Sequence, residues 1–67
     1  MKHWTTYWFE IEDENKDFYG EQFFTELENG TKEQHIKYAN ECFPNTEIRC
    51  IGRVSSFEAE MMGLDTY

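Results

Sequence analysis

The spacing of hydrophobic and polar positions switches between a two-residue and a helical period three times along the chain, and the switches divide it into elements. Residues 4–12, Trp-Thr-Thr-Tyr-Trp-Phe-Glu-Ile-Glu, are rich in aromatic and β-branched types, which suit a pleated, half-buried surface, and predict a first strand. A period of two puts Thr5, Tyr7, Phe9 and Ile11 on the core face and Trp4, Thr6, Trp8, Glu10 and Glu12 on the other. The polar stretch from Asp13 to Asp17 is turn-prone, and aromatics broken by single polar residues resume from Phe18 to Leu27. A hairpin with its second strand within 19–28 follows.

After Asn29-Gly30, the segment Thr31-Lys32-Glu33-Gln34 has the Thr-x-x-Gln form of a capping box, so a helix is expected over 31–43. Ile36, Ala39, Asn40 and Phe43 fall at i, i+3, i+4 and i+7 and form its inward stripe, which leaves His35 on the helix surface. Pro44 has no N–H and ends it. Alternation returns over 46–54, with Ile48, Cys50, Gly52 and Val54 on one face and Arg49, Ile51 and Arg53 on the other. A second capping box, Ser55 with Glu58, then opens a short helix over 56–62, with Phe57 and Met61 as an i, i+4 pair and Gly63 as its C-terminal stop.

These elements make one α+β domain over 1–67: a ββαβ(α) chain with a three-stranded mixed sheet, the main helix packed on one face and a short C-terminal helix. The strand-helix-strand crossover is expected to lay strand three parallel to strand two. The expected core is Tyr7, Phe9, Ile11, Phe23, Leu27, Ile36, Ala39, Phe43, Ile48, Cys50 and Val54.

Composition narrows the function classes. With 39% apolar and 18% aromatic residues the chain is too hydrophobic for a disordered acidic tail. Sixty-seven residues bury only about 60% of the unfolded chain's surface, which leaves little interior for a deep pocket beside a core. No apolar run of signal-peptide length follows Lys2, and none approaches the roughly 20 residues that cross a bilayer. The expected location is cytoplasmic, where Cys42 and Cys50 stay as thiols.

Catalytic motifs are absent. Gly20, Gly30, Gly52 and Gly63 are isolated rather than grouped in a phosphate loop, and there is no Gly-x-Ser-x-Gly or His-Glu-x-x-His. His35 and Cys42 are seven apart, yet no Cys-x-x-Cys or His-x-x-x-His pair accompanies them. No enzyme activity, metal or cofactor is expected.

Charge is the largest departure from an ordinary chain, at fourteen Asp+Glu against six Lys+Arg, a formal −8. Glu10, Glu12, Asp13, Glu14, Asp17 and Glu21 fall in twelve residues whose only cation is Lys16. Such a field repels nucleic acid and attracts basic proteins, although a merely solvated turn has the same composition. Trp4 and Trp8, opposite the core face, are either covered by the segment carrying Phe57, Met61, Met62 and Leu64 or form an interface. Two readings follow. In the first, the chain is an acidic binding module or inhibitor that sets Trp4, Trp8, Glu10, Glu12, Asp13, Glu14 and Asp17 against a basic partner, with carboxylates standing in for phosphates if that partner handles nucleic acid. In the second, it is a structural module that homodimerises through Trp4 and Trp8. In size and charge the chain is similar to many small inhibitors encoded by phages and other mobile elements.

Overall fold

The computed structural model describes residues 3–67. The chain forms β1 (Trp4–Ile11), β2 (Gln22–Glu28), α1 (Lys32–Cys42), β3 (Ile48–Val54) and α2 (Ser56–Met62), a small α+β domain. Both helix starts rest on complete capping boxes, Thr31 with Gln34 and Ser55 with Glu58, which satisfy orphan N–H groups at each N-terminus. Gly63 ends α2 in the left-handed region, at φ 66°, where a residue without Cβ is unstrained.

The sheet order is β2-β1-β3, with β1 antiparallel to both neighbours. This corrects the expected mixed sheet. β3 does run in the same direction as β2, but β1 lies between them, so the most aromatic and β-branched segment is paired along both edges. Parallel pairing occurs instead at the outer edge of β2, where the last residues run beside it. Phe24 N–H donates to Asp65 C=O at 2.8 Å, Tyr67 N–H to Phe24 C=O at 2.9 Å, and Glu26 N–H to Tyr67 C=O at 3.0 Å.

Strand two starts at Gln22 rather than 19 because the connection curls through successive turns, Lys16 N–H to Asp13 C=O, Tyr19 to Lys16 and Glu21 to Phe18. Phe18 therefore enters the core from a loop, its ring 5.9 Å from that of Phe43. Between sheet and α1 lie Phe9, Ile11, Phe23 and Ala39, flanked by Tyr7, Phe18, Ile36, Phe43, Ile48 and Cys50. Phe9 stacks on Phe23 at 5.5 Å, and Phe23 meets Phe43 at 4.7 Å.

Three side chains depart from the expected facing. Trp8 lies opposite Gly52 and Phe9 opposite Cys50, so Ile51 is an extra residue in β3, a bulge that reverses the alternation beyond it. Ile48 and Cys50 accordingly face α1, while Val54 pairs with Thr6 on the opposite face. Asn40 is exposed, and the inward side of α1 is His35 and Ala39 with Ile36 and Phe43 beside them. His35 is not a surface residue: its exposure is 0%. Its ring is held between two β-strand threonines, with Nε2 2.7 Å from Thr5 Oγ1 and Nδ1 2.6 Å from Thr25 Oγ1.

The second face of the sheet is also covered. Thr6, Phe24 and Val54 are buried there, and the space above Thr6 and Glu26 is bounded by Ala59, Glu60 and Leu64 of α2 and the tail. Only Ala59 of α2 is half-buried, whereas Phe57 and Met61 point outward, each 72% exposed.

Candidate interaction surface

The outer face of the sheet, near the hairpin end, carries a continuous chain of polar contacts. Trp8 Nε1–H donates to Gln22 Oε1 at 3.1 Å, and the Gln22 amide donates to Glu10 Oε2 at 3.1 Å. Arg49 reaches across from β3 to donate to Glu10 Oε1 at 3.0 Å and to pair with Glu12 at 2.6 Å. The register explains the assembly, because Gln22, Glu10 and Arg49 stand opposite one another on three adjacent strands. Gln22 first, and Arg49 next, hold the Glu10 carboxyl below its ordinary pKa. Glu10 consequently supports the fold above the ordinary carboxylate range and loses that contribution as pH falls through its lowered value.

The acidic residues singled out from the sequence play different parts. Glu10 and Glu12 form the Arg49 clamp. Asp13 turns inward to shape the loop: one oxygen accepts from Asn15 N–H at 3.0 Å and the other from Glu47 N–H at 3.4 Å. Glu14 and Asp17 are exposed. Trp8 is half-buried and tied into the network, while Trp4 is 56% exposed at the opposite end of β1, about 20 Å from Glu10 along the strand. The fold thus gathers Trp8, Glu10, Glu12 and Glu14 and leaves Trp4 apart.

A recess at the hairpin end is lined by Glu10, Ile11, Glu12, Glu14, Tyr19 and Gly20. Alternation alone places Tyr19 in the second strand, whereas it stands 56% exposed in the loop before it. Its signal was available: an aromatic next to Gly20 in an acidic stretch suits a loop as well as a strand. Gly20 itself adopts φ 88°, which lets the chain turn back so that its N–H donates to Ile11 C=O at 2.9 Å. Glu10 and Glu12 are already paired with Arg49, so the groups left open to an incoming ammonium or guanidinium are the exposed Glu14 carboxylate and the face of the Tyr19 ring.

Elsewhere, Cys42 and Cys50 are free and half-buried, and burial pushes the Cys50 thiol up, away from the reactive thiolate. Among the described residues no group of three or more His, Cys, Asp or Glu side chains is placed to hold a metal ion. Among the described residues no helix is long and apolar enough to cross a membrane. Compared with protein-family models, with curated protein sequences and with solved structures, the chain matches none.

Proposed function

We propose that this chain is a small acidic binding module that docks on a basic protein, taking a lysine or arginine side chain of that partner into the recess where Glu14 and Tyr19 stand beside the Glu10–Arg49–Glu12 clamp. The observation that carries the reading is the clamp on Arg49. Two carboxylates on one strand face are already held at distances that fit a guanidinium, 3.0 and 2.6 Å, while Glu14 beside them is exposed. Inhibition of a nucleic-acid-handling protein is the narrower form of the proposal, in which these carboxylates occupy a phosphate site.

The test starts from the partner recovered with the tagged chain and purified. Its affinity is measured at low and high salt for the parent and for Glu14→Lys with Asp17→Lys. These side chains are exposed and outside the Arg49 clamp, so their reversal leaves the fold's own contacts in place. Binding is expected to weaken steeply with salt and at least tenfold on charge reversal, because exposed charges act through fields screened over about 8 Å at physiological ionic strength. A tight complex indifferent to both changes rejects the acidic contact. Competition by duplex DNA or RNA decides the mimicry claim, which fails if nucleic acid and this chain bind the partner together.

Removing Arg49 gives a complementary expectation. Arg49→Gln takes the formal charge from −8 to −9, since one of six cations is lost, and frees Glu10 and Glu12 for the partner. The variant should bind the basic partner more tightly, while its urea midpoint drops only slightly, as exposed pairs contribute about 0–1 kcal/mol. Weaker binding by Arg49→Gln would mean that the clamp is needed to hold the carboxylates in place.

A second reading, self-association, is favoured by the exposed apolar residues at the other end of the molecule. Trp4 lies beside Ser55 and Ser56, where α2 begins, and Phe57 and Met61 project from the side of α2 opposite Ala59. The half-buried, hydrogen-bonded Trp8 fits this contact less well than Trp4 does. Sedimentation equilibrium discriminates: a dimer that dissociates in Trp4→Ala or Met61→Glu supports self-pairing, and a monomer at all concentrations excludes it.

A further inference from the structure

We propose that the Thr5–His35–Thr25 cluster is a proton-sensitive latch that holds α1 on the sheet at neutral pH and loosens it in mild acid. The hydrogen-bond pattern assigns the protons. The Thr5 hydroxyl lies 3.1 Å from both the Leu27 and Gly30 carbonyls, which can only accept, so its single hydrogen goes to one of them. Thr5 Oγ1 must then accept at 2.7 Å from His35 Nε2–H. With that proton on Nε2, the neutral imidazole has a bare Nδ1, which accepts from the Thr25 hydroxyl at 2.6 Å. Every polar atom is satisfied, and the ring is neutral.

A second proton, on Nδ1, breaks this arrangement twice over. The ring nitrogen becomes a donor toward Thr25 Oγ1, and the Thr25 hydrogen then has no acceptor in a site where Thr25 and His35 are both 0% exposed. The new charge also lacks a counter-ion. From β1 the ring faces Tyr7, at 4.5 Å between centroids, and from β3 it feels the positive charge of Arg53. β2 and the following turn present Thr25, Leu27 and Gly30, none of them titratable, and the helix itself places Lys32 and Tyr38 one turn away on either side. No carboxylate among the described residues bears on the ring.

Burial first, and Arg53 second, therefore push His35 below its ordinary value near 6.5. The sign of the pH effect follows. An opened form, with His35 in water, binds the proton first, so the latch is fully closed above about pH 6.5 and weakens as pH falls below it. Because His35 projects inward with Ala39, hydrating its ring requires α1 to leave the sheet.

Amide hydrogen exchange along α1, expressed as protection factors, and imidazole 15N shifts test the latch between pH 7.5 and 5.5. Protection of the inner α1 amides should fall over that range by up to about tenfold, the limit for one proton taken up by an opened form titrating near 6.5. The folded His35 ring should show the Nε2–H neutral pattern at pH 7.5 and titrate below its ordinary value. His35→Gln should show protection that does not change with pH, and His3→Gln should behave as the parent. If His35→Gln does not fold, the parent ring decides: titration of His35 at or above 6.5 with α1 protection intact overturns the latch. Flat protection in the parent, or an equal fall in His35→Gln, overturns it too.

Discussion

Phe9→Ala should leave the chain largely unfolded at room temperature. Phe9 is 1% exposed at the centre of the middle strand, opposite Phe23 on one side and Cys50 on the other, and its ring stacks on Phe23. Removing a buried phenylalanine side chain costs about 3–5 kcal/mol, through lost transfer free energy and the cavity left behind. A domain of this length holds only a few to about ten kcal/mol in total at the usual 0.05–0.15 kcal/mol per residue. The sheet and two short helices have little else with which to close that void. Urea unfolding followed by tryptophan fluorescence measures the loss. Trp8→Ala, on the other face and half-buried, is the comparison and should lose roughly half as much or less. A Phe9→Ala chain that unfolds at the parent's midpoint would reverse the assignment of the two sheet faces.

The second large effect is expected at Gly30, where adding one methyl group should cost about 1–3 kcal/mol by overpacking. The added carbon would sit 2.7 Å from Leu27 Cβ, 2.9 Å from His35 Nε2 and 3.1 Å from His35 Cδ2. Leu27 Cβ is fixed to the backbone of β2 and cannot rotate away. The imidazole is held in place too, because both its nitrogens are hydrogen-bonded in a site closed to solvent. Gly30 is thus required for close approach, and its backbone angles play no part. Thermal unfolding of Gly30→Ala against the parent gives the cost directly. An unchanged melting temperature would show that the Thr5–His35–Thr25 cluster yields easily, which would also weaken the case for a rigid latch.

Local signals carried most of the architecture. Thr31 with Gln34 and Ser55 with Glu58 mark the N-caps of both helices, since a capping box is a contact within four positions and needs no tertiary information. The facing of β1 follows from strict alternation, and Phe9 and Ile11 are buried as that alternation requires. What escaped were features decided by distant partners. The bulge at Ile51 exists only in relation to β1, so the period of β3 alone placed Val54 on the wrong face. His35 sits beside Ile36 and carries no mark of burial, because what makes burial tolerable is the pair of hydroxyls from Thr5 and Thr25, 30 and 10 residues away. Phe24, 0% exposed, is a further case, since its backbone pairs with Asp65 and Tyr67 of the distant tail. At the hairpin end, charge density in the sequence could not separate the clamped Glu10 and Glu12, the structural Asp13 and the exposed Glu14 and Asp17.

The run of residues 65–67 along β2 has a consequence for aggregation. An unpaired sheet edge is a template on which another chain can add a strand. Here the outer edge of β2 is closed by three hydrogen bonds to the tail, and Tyr67 is pinned by edge-on contacts of its ring with Phe23 at 5.5 Å and Phe43 at 5.4 Å. β3 is left as the edge without a backbone partner among the described residues, roughened by its bulge and by Arg49 and Arg53. A particle with one open edge can pair once and then stops growing. Clipping off residues 65–67 would create a second open edge on a strand containing Phe23, Phe24 and Thr25, and two edges per particle permit an unending row. Residues 65–67 thereby close the second edge that such a row would need.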